Sequence, residues 1–185
     1  MRFQRTPIAG LWEITTQPRG DERGRFARLF CASAFTEIGR PGLQFVQTNL
    51  SETPIRGTVR GLHFQRAPAL EAKLVRCLRG AVQDVVVDLR TGSPTFGRWH
   101  AVTLSADNDR QLFIPEGCAH GFQTLTPDVQ MLYQHTAAYT PSCEGGVRFD
   151  DPSLAIAWSA PIALVSERDR ALPVIDDLFV GVEKA

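Results

Sequence analysis

The eight residues Val82-Gln83-Asp84-Val85-Val86-Val87-Asp88-Leu89 decide the fold class. Their valines put branched apolar side chains on both faces of an extended segment, which predicts a strand covered on both sides. The turn RTGSPTFG (90–97) separates this run from Trp99 to Leu104, and SADND (105–109) separates that from Gln111 to Ile114. Short segments rich in Val, Ile, Leu, Phe and Thr, broken by turn residues, recur along nearly the whole chain, so two packed sheets are implied. Helix signals are few: SAFTEIG (33–39), with a possible serine N-cap and a closing glycine, and a helical turn after Ser166. The expectation is an all-β chain, a sandwich or jelly-roll barrel with a few short helices.

Length and composition narrow the function classes. The 185 residues suit a single domain spanning 1–185, and 43% hydrophobic with 22% charged residues is ordinary for a globular protein. Twenty basic residues balance twenty acidic ones, so no long-range field favours nucleic acid or an anionic membrane. The four cysteines are far apart, without C-x-x-C pairs, as expected of free thiols in a reducing cytoplasm. The N-terminus has no apolar stretch of signal-peptide length, and nowhere do about 18 apolar residues run together, so a cytoplasmic, unanchored protein is expected.

Two neighbouring segments carry the chemistry. Arg60-Gly61-Leu62-His63-Phe64-Gln65 precedes Lys73, which opens the run KLVRCLRG. Together they bring a titratable base, two cations and an amide, the inventory needed to remove a proton from carbon beside a carbonyl and meet the enolate with positive charge. Pro115-Glu-Gly117-Cys-Ala-His120 makes a tight turn that aims His120 at the barrel interior, and its P-x-G-x-x-H spacing resembles the second motif of the cupins. Many cupins bind a metal through two histidines and a glutamate of an earlier motif plus this later histidine. Here the earlier segment offers only His63, short of the three or four ligands a metal needs, so a metal-free barrel without cofactor is the better reading.

RGLHFQ, KLVR, DVVVDLRTGSPTFGRW, IPEGCAHGF, LYQHTAAYTPSCEGG and SERD stand in the order seen in dTDP-4-dehydrorhamnose 3,5-epimerases, a resemblance covering about residues 10 to 175. It implies a metal-free, cupin-like jelly roll, a cytoplasmic homodimer, and epimerisation of a 4-keto-6-deoxy sugar carried on a nucleoside diphosphate, on the way to L-rhamnose. By that resemblance His63 looks like the base beside the 4-keto group and Asp169 like the carboxylate holding its other ring nitrogen. Lys73 looks like the cation at the enolate oxygen, and Tyr133 like the acid that returns a proton from the opposite face. Arg60 resembles a diphosphate contact, Gln47 and Asn49 a polar pair lining the cleft, and His120 a secondary polar wall. Period two along LYQHTAAY puts Tyr133, His135, Ala137 and Tyr139 on one face, and Tyr139 is similar to the tyrosine lining the sugar and base pocket. Asp21-Glu-Arg23-Gly-Arg-Phe26 resembles a motif whose arginine and aromatic reach across the dimer to the nucleotide.

The chain departs from the family pattern at four places. Arg28 stands where a glutamate is usual, and an arginine offers no acceptor to a pyrimidine imide, which leaves the base open. Phe64 replaces a tyrosine, Glu71 a glutamine before KLV, and Phe149-Asp150 a Trp-Asn. Taken singly, His63 would read as a structural histidine, Lys73 and Arg60 as solvated strand-edge charges, the tyrosines as packing, and Asp169 as a helix cap. Arg23 and Phe26 would read as turn and core residues. His100 and His135 are taken as structural. Besides the 3,5-epimerase, the alternatives are the same enolisation at one carbon, a ketoisomerase, and a non-catalytic sugar-nucleotide-binding cupin. A metal-dependent cupin oxygenase stands last.

Overall fold

The computed structural model describes residues 1–176, 179 and 181–183. The strands are β1 (Arg2–Arg5), β2 (Trp12–Thr15), β3 (Arg19–Asp21), β4 (Gly24–Phe26), β5 (Gln47–Thr53), β6 (Thr58–Gln65) and β7 (Lys73–Arg79). They continue with β8 (Ala81–Asp88), β9 (Trp99–Ser105), β10 (Arg110–Ile114), β11 (Cys118–Thr124), β12 (Val129–His135), β13 (Glu144–Gly146) and β14 (Leu164–Val165). A 3₁₀ helix covers Ala34–Ile38, a 3₁₀ turn covers Pro141–Cys143, and one α-helical turn, α1, covers Glu167–Arg170.

Two sheets face each other, in the order β1-β2-β10-β7-β12-β5 for the first and β13-β6-β11-β8-β9 for the second. This is the all-β architecture expected from the valine-rich segment, with the cupin-like form that the family resemblance implied. β8 has its two faces in two cores. Val82 and Val86 pack between the sheets with Val75, Leu112, Phe122 and Met131, while Val85 and Val87 pack outward with Leu62, Phe64, Leu154 and Trp158. At roughly 1.5–3 kcal/mol for each buried aliphatic side chain, covering both faces favours strand over any half-exposed alternative. The outer face of the first sheet is closed by Phe35 of the 3₁₀ helix, which packs with Ile14, Leu74 and Phe113.

The helix signal at 33–39 is met as 3₁₀, with Gly39 closing it in the left-handed region at φ 73°. Ser33 is itself helical and makes no side-chain cap, so that detail of the expectation does not hold. After Ser166 the expected turn forms, and here the serine does cap, its Oγ accepting from the Asp169 N–H.

The segment after β13 is held on the second sheet by side-chain amides. Gln83 donates to the Ala157 carbonyl and accepts from the Ser159 N–H, and Gln123 makes the same pair of bonds with Ala160. That anchoring lets β14 add to β6 in parallel, Leu164 opposite Thr58 and Val165 opposite Val59. The parallel direction carries the chain past Ser166 and delivers α1 to the centre of β6.

Candidate active site

A cavity of about 740 Å³ opens between the sheets, and its walls include every cleft residue expected from the sequence on β5, β6, β7, β11, β12 and α1. Gln47, Asn49, Arg60, His63, Lys73, His120, Tyr133, Tyr139 and Asp169 all line it. Arg23 and Phe26 do not. They lie on the β3–β4 hairpin, where Arg23 pairs with Asp21 and Phe26 is 76% exposed.

His63 and Asp169 meet because of an irregularity in β6. In the β6–β11 ladder His63 stands opposite His120 and Arg60 opposite Phe122, so Gly61 and Leu62 together oppose the single residue Gly121. Strict alternation would send Arg60 and His63 to opposite faces; the extra residue returns both to the cavity. The crossing requires glycine. Gly61 has φ +104°, and a Cβ there would sit 2.6 Å from the His120 carbonyl oxygen and 2.8 Å from the Gly121 Cα. The Gly61 N–H donates to Asp169 Oδ2 at 3.0 Å, and His63 Nε2 donates to Oδ1 at 2.7 Å. Burial opposes ionisation of Asp169, but the bonds from His63 and Gly61 outweigh it and hold the carboxyl below its usual range. With Nε2 so engaged, the imidazole keeps Nδ1 for the cavity.

Lys73 is 7% exposed, its ammonium donating to the His63 carbonyl at 3.4 Å and pairing with Glu71 Oε1 at 3.1 Å. Tyr133 enters from the first sheet. Its hydroxyl shares a hydrogen bond with Ser51 at 3.2 Å, and burial pushes the phenol above its ordinary value, against that bond. It therefore remains a protonated hydroxyl over the neutral range. Arg60 lines the cavity with its Nε donating to Thr53 Oγ1 at 3.0 Å.

His120 is more than a polar wall. Both oxygens of Asp84 lie 2.9 Å from its Nε2, and Asp84 is fully buried, which pushes its carboxyl up against the opposing influence of His120. Sequence reasoning passed over Asp84, although an acid on the inner face between Val82 and Val86 is a signal, because buried carboxylates need partners.

One expectation is corrected and one extended. His135, taken as structural, also lines the cavity, 9% exposed, with Nδ1 2.7 Å from Glu71 Oε2. Tyr139 does not share a strand face with Tyr133. β12 ends at His135, where Thr136 turns to bond both the N–H and the carbonyl of Ala72. Tyr139 reaches the cavity from the following loop, half exposed, with its hydroxyl donating to Glu144 at 2.9 Å. Glu144 also pairs with Arg168 of α1, and neither was foreseen at the site.

Among the described residues no group of three or more His, Cys, Asp or Glu could hold a metal ion, and no helix is long and apolar enough to cross a membrane. The cavity brings together what proton transfer beside a polarised oxygen needs: an oriented imidazole from one sheet, a protonated phenol from the other, and a buried ammonium.

Known proteins resemble this chain in sequence and fold. The chain is 46% identical over 177 residues to the dTDP-4-dehydrorhamnose 3,5-epimerase of Salmonella typhimurium, covering 95% of this chain and 96% of that one. It is 44% identical over 171 residues to the dTDP-4-dehydrorhamnose 3-epimerase of Streptomyces niveus, covering 92% and 82%. The crystal structure of the dTDP-6-deoxy-D-glucose-3,5-epimerase of Legionella pneumophila, in complex with dTDP-4-keto-L-rhamnose, superposes with a TM-score of 0.90 at 39% identity, covering 100% and 99%. The profile of one family matches residues 5–177, and with it the chain belongs to the dTDP-4-dehydrorhamnose 3,5-epimerase family.

Proposed function

We propose that this chain is an isomerase that epimerises dTDP-4-dehydro-6-deoxyglucose at carbons 3 and 5, in the supply of L-rhamnose. The observation that carries the reading is the placement of His63 and Tyr133 on opposite walls of one cavity, His63 from the second sheet and Tyr133 from the first. Inversion at carbon needs a proton removed from one face and returned to the other, and two groups on facing walls satisfy that requirement. His63, oriented by Asp169, takes the proton beside the ketone. Lys73 gives its charge to the enolate oxygen, in a site where burial strengthens the interaction. Tyr133 returns a proton from the far side. Arg60 binds the diphosphate as a planar, permanently charged guanidinium, with Gln47, Asn49, His120 and Tyr139 as further substrate contacts.

The chain acts as one domain in a cytoplasmic homodimer. The exposed hairpin carrying Arg23 and Phe26 fits a contact with the partner's nucleotide, since Phe26 has no cover of its own. Arg28 leaves the base to be read by another group.

A second reading is epimerisation at a single carbon, favoured by the Streptomyces niveus relative, named a 3-epimerase and nearly as similar as the 3,5-epimerase from Salmonella. Proton NMR of the 4-keto-6-deoxy sugar nucleotide in deuterated water decides: exchange at carbons 3 and 5 supports the first reading, exchange at carbon 3 alone the second. No exchange at either carbon overturns both.

A further inference from the structure

Besides the His63–Asp169 and His120–Asp84 pairs, the cavity holds a third histidine fixed by a carboxylate, His135. Glu71 is 8% exposed in its side chain and uses both oxygens, Oε2 on His135 Nδ1 at 2.7 Å and Oε1 on the Lys73 ammonium at 3.1 Å. Burial disfavours its charge, but His135 and Lys73 outweigh that and keep it ionised. An ionised carboxylate only accepts, so His135 Nδ1 carries the proton and Nε2 the lone pair. Asn49, whose Nδ2 is 3.4 Å from Nε2, supplies the matching donor. Backbone register fixes the whole group: His135 stands directly opposite Lys73 across the β7–β12 ladder and opposite Gln47 across the β5–β12 ladder. The His135 ring also lies nearly parallel to that of Tyr133, with centroids 6.2 Å apart and planes at 21°.

We propose that Glu71 is a positioning residue that holds His135 with its Nε2 lone pair toward the cavity, making His135 a specificity-determining acceptor for a hydroxyl of the bound sugar. The inference rests on the nucleotide-sugar reading of the site. A 4-keto-6-deoxyhexose linked through carbon 1 keeps hydroxyls only at carbons 2 and 3. His135 is the neighbour of Lys73, the cation assigned to the ketone oxygen, so it lies at the sugar end of the cavity and not at the nucleotide end. The long Asn49 contact is one that a substrate hydroxyl can replace with a shorter one.

The test compares two affinities in one protein: that for dTDP and that for dTDP-4-keto-6-deoxyglucose, whose ratio is the sugar's contribution. Glu71→Gln changes one atom. Its single carbonyl cannot serve both Lys73 and His135; when it keeps the ammonium, its NH2 faces Nδ1 and moves the ring proton to Nε2, converting the acceptor into a donor. The expected result is a sugar contribution reduced at least tenfold, or 1.4 kcal/mol, with dTDP affinity within twofold of wild type. His135→Phe keeps the ring stack and removes the acceptor, and the same loss is expected from it. The double variant should lose no more than either single one, because the two residues act as a unit. A sugar contribution unchanged in both single variants overturns the proposal, and so does a parallel fall in dTDP affinity. Binding decides this even for an inactive protein. Wild type that exchanges no sugar protons in deuterated water would instead sink the epimerase reading, leaving the affinity ratio to judge Glu71 and His135.

Discussion

Replacing Asp169 by asparagine forces a choice that the wild-type site does not face. The carboxylate accepts from two donors, His63 Nε2–H at 2.7 Å and the buried Gly61 N–H at 3.0 Å. An asparagine has one acceptor. If its Oδ1 stays with His63, the new NH2 points at the Gly61 N–H, and a buried donor loses its partner at roughly 1–3 kcal/mol. If Oδ1 turns to Gly61, the NH2 meets Nε2, the ring proton moves to Nδ1, and the nitrogen facing the cavity can no longer accept a proton. In either case the imidazolium formed during turnover loses a charged partner, about 1.5–3 kcal/mol for such a bond. The lower end applies, because the His63 side chain is 33% exposed and water screens it. The charge effect alone is about 1.5 kcal/mol, roughly tenfold in rate, and the misplaced ring proton raises the loss toward the roughly hundredfold typical of one acid-base group. Deuterium uptake from D2O, followed by NMR at saturating sugar nucleotide, reads turnover, and a parallel titration reads KM. The expected outcome is the fall in kcat with KM within about threefold of wild type. A variant that keeps turnover within fivefold of wild type, or one that loses only affinity, would refute the orienting role.

Three further outcomes are expected. Tyr133→Phe should still admit solvent deuterium to the sugar while epimerised product falls at least about tenfold, and undiminished product in the NMR assay removes the phenol from the second proton transfer. Gly61→Ala should destabilise by at least about 2 kcal/mol, lowering Tm by roughly 4–8 °C in calorimetry, because its Cβ would press on backbone at a positive φ; an unchanged Tm contradicts the close crossing of β6 and β11. Asp88 is opposed by burial but held at about 2 by bonds from Arg90, Ser93 and Thr95. A lowered folded-state value means stability present above the unfolded pKa and lost as pH falls through the folded one, so Asp88 contributes about 2 kcal/mol at neutral pH that disappears between about pH 5 and pH 2. Asp88→Asn should therefore lower Tm at pH 7, with the gap to wild type narrowing steadily from about pH 5 to about pH 2, and a Tm gap that stays constant across that range would contradict the linkage.

Much of the fold was legible before any coordinate. The two-sided apolar run of Val82–Leu89 implied a covered strand, and it lies between an inner core and an outer one. Candidate site residues on β5, β6, β7, β11, β12 and α1 were named from ordered motifs, and all of them line one cavity. Tyr139 shows where periodicity stops serving: alternation holds only while the strand continues, and Thr136 ends it by turning to Ala72.

By itself the sequence determined what is local: which segments extend, which faces are apolar, where turns fall, and which side chains could handle a proton. Those follow from a chain's own geometry, in which alternation and turn chemistry depend on near neighbours. Tertiary structure alone decided what depends on register. The extra residue of β6 opposite Gly121 turned Arg60 and His63 to one side. Parallel addition of β14 brought Asp169 across 106 positions to His63. The pairing of Lys73 with His135 set Glu71 between them. Nothing in a linear pattern encodes those meetings, because each is settled by the packing of segments far apart in the chain.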